Sequence, residues 1–425
     1  MSSGYRLVAL LLFVTLWIYI IYEIKHSSMI ILGGEFDPVC KYKMKPMYQP
    51  YYDFHNDTIH IAMLLADGID NCYQAETQIK SILFHQKRWY PSKDDCCHFK
   101  HFTHINSNWL TAIDRVQSFN EAKRQRFPIV FHLIVDQLTY EFMNRLMSDW
   151  GLDGISVQFY PIKNYEAQVK SFKSGHYSGH KSYLKLLITQ ILPTEIKKVI
   201  VLDADILLND DISNLWSIFD EFSKDQCIGI AAEQNPTFYS NMGKRFWPAL
   251  GYGYNAGILL IHLTKLRARG WDEIWMKTAF NLMREKRILP TGEQDVINAV
   301  LNRNKRWLYE IPCKWNIQLS AFSIRERCPV VWEFLLNRDD DDDNNNDNNN
   351  YIRKKTLRDD IVLQYPNAKL IHFNAHVKPE YFFPTPLRFP LPFDKSDEYH
   401  STIQLSRKYF QLYYHLRSMS RYCFL

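Results

Sequence analysis

The segment Lys198-Val-Ile-Val-Leu-Asp-Ala-Asp-Ile-Leu207 constrains this chain more than any other. Val199 to Leu202 are four consecutive apolar residues, and such a run bounded by charge predicts a strand buried on both faces. It ends on Asp203, with Asp205 two residues on. Residues i and i+2 of an extended chain point to the same side, so two carboxylates converge at the C-terminal end of a buried strand, where open α/β sheets hold their ligands. Bare carboxylates side by side repel, so a cation is expected between them. Hard oxygen ligands suit Mg²⁺ or Mn²⁺, which take one or two carboxylates together with substrate phosphates. The expectation is a divalent cation carrying a nucleoside diphosphate; a solvated acidic turn is the plainer alternative.

The surrounding pattern is β-α-β-α-β. Strands are predicted over Ile59–Ala66, Pro128–Asp136, Ile155–Tyr160 and Cys227–Ala232, with a further strand over Ile258–Leu266. Helices are predicted over Ala75–His85 with Gln78 and Lys80 off the apolar face, over Thr139–Trp150 with Thr139 as N-cap, and over Tyr183–Leu192, stopped by Pro193. Further helices are expected over Asp211–Phe219, residues 271–285, a start near Thr291, and Ser396–Tyr414. This alternation predicts a doubly wound α/β fold, a mostly parallel sheet covered by helices on both faces. No G-x-G-x-x-G follows the first strand and no G-x-x-x-x-G-K-[ST] occurs, so a glycine loop alone does not hold the phosphates.

The N-terminus bears on the compartment. Leu7 to Tyr22 is an uncharged run of 16 residues after Arg6, apolar but for Thr15, with Trp17, Tyr19 and Tyr22 as an interfacial belt and no small-x-small cleavage site behind it. An uncleaved signal anchor is expected, in single-pass type II orientation with a luminal body. The sequon Asn56-Asp57-Thr58 and eight cysteines agree with an oxidising lumen, and Cys313 with Cys328 is the best candidate pair. The domain reading is a cytoplasmic tip and anchor over 1–25, a stem over 26–57 and a catalytic domain over 58–425, with insertions at about 87–127 and 329–360. Net charge of +5 on 425 residues, with no basic cluster, excludes a nucleic-acid footprint. Cys96, Cys97, His98, His101 and His104 lack paired zinc spacing and read as a polar excursion. Asp339 to Asn350 is a low-complexity loop without the spaced ligands of a calcium site.

Other polar residues cluster in suggestive contexts. Trp247 to Gly257 is rich in glycine, which lets backbone approach a ligand, and Asn255 can donate and accept toward a sugar hydroxyl; a plain glycine turn is the alternative. The acids in Thr291-Gly-Glu-Gln-Asp295 suit ordinary helix capping. Ala368 to Phe373 predicts a short strand ending in His372, a candidate third metal ligand, with Lys378 placed to neutralise a phosphate.

Seven ordered stretches carry a resemblance: Gly175-His-Tyr-Ser-Gly179, Lys185-Leu-Leu-Ile with Leu192-Pro193, Val199 to Ile206, Trp247-Pro-Ala-Leu-Gly251, Gly253-Tyr-Asn-Ala-Gly257, Gln294-Asp295 with Asn298-Ala-Val300, and Pro312 to Ser320. Together they resemble glycosyltransferase family 8, most closely the xylosyltransferase domain of LARGE-type enzymes, from about Ile59 to Phe373. The resemblance implies a GT-A-type α/β fold and retaining transfer from a UDP-sugar with Mn²⁺. It implies that Asp203, Asp205 and His372 hold the metal and that Lys185, Asn255, Ala256, Gly257 and Lys378 meet the donor. It places Gln294 and Asp295 by the anomeric carbon, with Glu293 where the family usually has Asp. The LARGE-type reading implies a Golgi membrane enzyme that moves xylose to a glycan acceptor on a glycoprotein, in the pathway that extends O-mannosyl glycans. The family's usual glycine beyond the C-terminal His is replaced around Ala375. LARGE-type enzymes carry a second, glucuronyl-transferring domain; 52 residues follow Phe373 here, so the expectation is xylose addition without polymerisation, leaving room for a separate glucuronyltransferase partner.

Retention requires either front-face attack, with the departing phosphate taking the acceptor proton, or a covalent intermediate, and front-face attack is the expectation. Two other functions stay open: a same-fold UDP-glucose or UDP-galactose transferase or glucoside xylosyltransferase, and a non-catalytic Golgi glycan-binding protein.

Overall fold

Near-continuous apolar runs form the inner strands of the central sheet, because strands covered on both faces have no solvent side to mark with polar residues. The computed structural model describes residues 58–89, 127–235, 248–320, 323, 327–330, 366–375, 378–382 and 402–424. Its strands are β1 (Ile59–Leu65), β2 (Ile129–Val135), β3 (Ile155–Pro161), β4 (Val199–Leu202), β5 (Ile206–Leu208), β6 (Ile228–Ala232), β7 (Tyr254–Ile261), β8 (Leu308–Ile311), β9 (Ile317–Gln318) and β10 (Leu370–His372). Seven form one sheet in the order β3-β2-β1-β4-β7-β6-β8, in which only β7 runs against its neighbours. The other three form a small sheet in the order β5-β10-β9. The longer helices are α1 (Ile69–His85), α2 (Gln137–Trp150), α3 (Trp271–Lys286), α4 (Glu293–Arg303) and α5 (Thr402–Ser418).

Both faces of the sheet are covered. Ile59, Ile61, Met63 and Leu65 of β1 enter one core, while Ala62 enters the other with Val199 and Val201 of β4. The doubly covered, mostly parallel α/β architecture is the one the strand pattern predicts. The anchor segment 1–25, the stem, the sequon, most of both insertions and the Asp/Asn loop lie outside the described residues. Among the described residues no helix is long and apolar enough to cross a membrane.

Several element boundaries differ from the sequence reading, each for a physical reason. Helix α1 starts at Ile69, and Gln78 and Lys80 are buried rather than off its face. Packing by α5 covers that side: the Lys80 ammonium donates to the Met419 carbonyl at 2.8 Å and pairs with Glu76 at 3.0 Å. The cap of α2 is Asp136, whose carboxylate accepts from the Thr139 amide at 3.0 Å; Thr139 itself sits inside the first turn and donates to the Leu65 carbonyl. The segment before Pro193 is a 3-10 helix from Gly179 to Leu187 followed by one α-turn. The strand expected over Ile258–Leu266 is β7, which begins at Tyr254 because it pairs back along β6, and a short helix follows from Leu263. Arg267 in that short helix donates to the carbonyls of Thr189, Leu192, Pro193 and Ile196, which fixes the turn feeding β4. The Cys313–Cys328 pair is formed, with its Cα atoms 5.7 Å apart, and Cys423 is disulfide-bonded as well.

Neighbouring strands β1 and β2 bury a histidine pair, His60 Nδ1 lying 3.0 Å from His132 Nε2, and His132 Nδ1 lies 3.0 Å from the Tyr160 hydroxyl. Burial pushes His60 down to about 4, and burial together with His60 pushes His132 down to about 3, from an ordinary 6.5. In the unfolded chain both imidazoles take up protons below pH 6.5, while the folded chain resists until about pH 4, so falling pH favours unfolding across that window. We expect roughly 3 kcal/mol of lost stability per imidazole by about pH 4. Urea midpoints measured from pH 7.5 downward should fall accordingly, less steeply in His132→Leu; identical slopes for the two proteins would refute the assignment.

Candidate active site

The two acids of the Asp-Ala-Asp segment stand where the chain leaves one sheet and enters the other. Asp203 follows β4, and its amide donates to the Gly257 carbonyl on β7 at 2.9 Å. Asp205 precedes β5, and its carbonyl accepts from the Phe373 amide at 2.9 Å. His372 ends β10, directly opposite Ile206. Its Nε2 lies 3.4 Å from the Asp205 carboxylate and 3.8 Å from that of Asp203. One ligand atom from each of Asp203, Asp205 and His372 falls within 4.8 Å of the others. Two carboxylate oxygens and one imidazole nitrogen form a donor set suited to Mn²⁺ or Mg²⁺, so these residues fit the expected cation. Asp203 keeps 29% of its side chain exposed against 10% for Asp205, so the cluster opens toward solvent on the Asp203 side.

Two buried lysines flank the acids. Lys185, on the 3-10 segment, lies 2.5 Å from Asp203 and 2.9 Å from Glu293, the first residue of α4. Lys378 lies 2.5 Å from Asp205 and donates to the Phe373 carbonyl at 2.8 Å. Burial alone would discharge Lys185, but Asp203 and Glu293 hold its pKa above the ordinary lysine value. Burial likewise opposes charge on Lys378, and Asp205 outweighs it, raising that pKa too. Burial pushes the acids up: it prevails at Asp203, while Lys378 and then His372 hold Asp205 below the usual carboxylate range. The exposed Tyr177 ring borders the opening, 5.8 Å from the Lys378 ammonium.

The other sequence-predicted residues fall into two groups. Ala256 and Gly257 lie on β7 beside the cluster, and the Gln294 carbonyl oxygen accepts from the Ala256 amide at 3.0 Å. Asp295 is fully buried, and its carboxylate accepts from both the amide and the hydroxyl of Thr291. The Asn255 side chain turns inward, its Oδ1 accepting from the Gly257 amide at 3.1 Å and from Asn316 at 3.1 Å, its Nδ2 donating to Glu233 at 3.3 Å. Sequence reasoning singled out neither Glu233 nor Gln78, whose amide donates to the Asp203 carbonyl at 2.9 Å. It quoted Asn316 only as part of a motif, yet Asn316 Oδ1 lies 3.2 Å from His372 Nδ1.

Gly257 is required by close approach. A Cβ built there would sit 2.1 Å from His372 Cε1 and 2.5 Å from Nδ1, so no larger residue leaves the ring in place. Gly257→Ala should cost about 1–3 kcal/mol of stability by overpacking and displace His372. Chemical denaturation at unchanged m-value, with Mn²⁺ titration of the folded variant, checks this; wild-type stability and affinity together would refute it.

The sequence matches the family described as Glycosyl transferase family 8 over residues 70–379. Among curated proteins, it is 32% identical over 274 residues to the Gallus gallus xylosyl- and glucuronyltransferase LARGE2s, covering 64% of this chain and 32% of that protein. It is 31% identical over 274 residues to human xylosyl- and glucuronyltransferase LARGE1, again covering 64% of this chain and 31% of that protein. With human LARGE2 the identity is 37% over 206 residues, covering 47% of this chain and 28% of that protein. The chain thus matches about a third of the length of these relatives. Mouse xyloside xylosyltransferase 1 superposes with a TM-score of 0.47 at 18% identity, covering 75% of this chain and 98% of that one. The family match spans well over half of the chain and includes both acids, Lys185, Gln294, His372 and Lys378: the chain belongs to glycosyltransferase family 8.

Proposed function

We propose that this enzyme is a retaining, Mn²⁺-dependent glycosyltransferase of GT-A type that moves xylose from UDP-xylose to a glycan acceptor on a glycoprotein. The convergence of Asp203, Asp205 and His372 between Lys185 and Lys378 carries the reading. The likeness to xylosyl- and glucuronyltransferases supports xylose as the donor sugar and a LARGE-like glycan pathway. Held by these three residues, a divalent cation supplies Lewis-acid neutralisation of a departing diphosphate. The Lys378 ammonium, fixed by Asp205 and the Phe373 carbonyl, adds a positive charge that needs no reorganisation as the phosphate leaves. Lys185 orients the Asp203 carboxylate from the opposite side, braced by Glu293.

The same contacts support front-face attack. Glu293 is engaged by Lys185, Asp295 by Thr291, and the Gln294 amide is a poor nucleophile. In this reading the Gln294 oxygen, held by the Ala256 amide, stabilises the positive anomeric centre, and the departing phosphate accepts the acceptor proton. The backbone of Ala256 and Gly257 faces the donor, while Asn255 serves the support behind it.

The disulfides support a luminal body, and the apolar run Leu7–Tyr22 supports a type II Golgi anchor. A separate glucuronyltransferase acting on the xylosylated product completes the proposed pathway.

The full chain should turn over UDP-xylose with Mn²⁺ in preference to UDP-glucose and UDP-galactose. Asp203→Ala and Asp205→Ala should each lower the rate by about 100-fold or more, the usual cost of removing a group aimed at developing charge. Preferred turnover of glucose or galactose would overturn the xylose assignment, and absence of both turnover and donor binding would overturn the catalytic one. Intact mass measured during turnover should show no glycosyl adduct; an adduct on Glu293 or Asp295 would overturn front-face attack.

A further inference from the structure

We infer that Asn316 is a positioning residue that fixes the tautomer of His372, through a hydrogen-bond chain whose direction is set by the backbone amide of Gly257. A backbone N–H can only donate, so the Asn255 side-chain atom 3.1 Å from the Gly257 nitrogen must be its oxygen. That same oxygen lies 3.1 Å from one amide atom of Asn316, which must therefore be the NH₂ group. The remaining amide atom of Asn316 is then its oxygen, and it faces His372 Nδ1 at 3.2 Å. An oxygen acceptor there requires a proton on Nδ1, so in the neutral ring the lone pair is on Nε2, the nitrogen that faces Asp203 and Asp205. The far end of the chain agrees, because the Asn255 NH₂ group donates to the carboxylate of Glu233.

The chain is buried and cannot reverse. Asn316 is fully buried, Asn255 is 6% exposed and Glu233 4%. The Asn316 backbone is held on both sides, its amide donating to the Cys313 carbonyl at 2.8 Å and its carbonyl accepting from Gln234 at 2.7 Å. Rotating the Asn316 amide would set its oxygen against that of Asn255, which the Gly257 amide holds in place, leaving two buried acceptors face to face. The proton on Nδ1 is thus placed by the protein rather than by a ligand. The inference rests on the proposed metal role of His372.

Nitrogen-15 NMR of histidine in the full chain, above the pH at which imidazole is neutral, tests it. His372 is assigned with His372→Gln and by Mn²⁺ broadening. The expected signature is an unprotonated nitrogen coupled to both carbon-bound ring protons, which is Nε2. Asn316→Leu, shown to fold by circular dichroism, should populate both tautomers and weaken Mn²⁺ binding by about 10–100-fold, as measured by electron paramagnetic resonance of free Mn²⁺. A protonated Nε2 in the unaltered chain, or a folded Asn316→Leu that binds Mn²⁺ as the unaltered chain does, would overturn the inference. If the unaltered chain binds no Mn²⁺, the metal reading falls, while the ring nitrogens still decide the tautomer.

Discussion

Two carboxylates two residues apart at the end of a buried strand cannot share that position without compensating positive charge. Much of the active site follows from this constraint. Lys185 reaches Asp203 from the segment before β4, Lys378 reaches Asp205 from beyond β10, and His372 approaches both. The two lysines are buried and would be costly alone, so acids and bases are retained only as a set. Removing one member leaves its partner charged and unpaired, which explains why the residues that hold the site also hold this end of the fold.

The backbone makes the set possible. The chain runs out of β4 and into β5, changing sheets across Asp203, Ala204 and Asp205. One acid is anchored to β7 by its amide, the other to β10 by its carbonyl. Because β10 runs antiparallel to β5, its C-terminal His372 lies opposite the start of β5 and beside Asp205. Gly257 gives the imidazole its space, and the chain from Glu233 through Asn255 and Asn316 backs it. Geometry of this kind needs strands on both sides of the junction, which is why a small second sheet accompanies the large one.

Six of the seven strands of the main sheet were legible because runs dominated by apolar residues have few other uses in a chain of this composition; β8, short and carrying Glu310, was not. The cluster of Asp203, Asp205 and His372 was legible for a related reason: Asp203 and His372 stand directly after apolar runs, where a polar side chain is conspicuous. The support was not. Gln78 and Lys80 lie on what reads as the polar face of α1, and only the distant α5 and the site itself make that face interior. Asn316, in a short loop among apolar neighbours, gives no periodic signal, and Glu233 looks like any acid after a strand. The inward turn of Asn255 depends on Glu233 and Asn316, 22 and 61 residues away, which no local pattern encodes. Thr139 was misread as a cap because Asp136, the real one, looked like the end of β2.

The site also imposes an order in time. The last strand of the large sheet ends at Ile311, yet Asp205 waits for Lys378, 173 positions downstream, and for the histidine between them. A chain emerging from the ribosome can therefore complete its main sheet while its two acids still lack Lys378 and His372. Closing that long loop carries an entropic cost beyond that of assembling the main sheet.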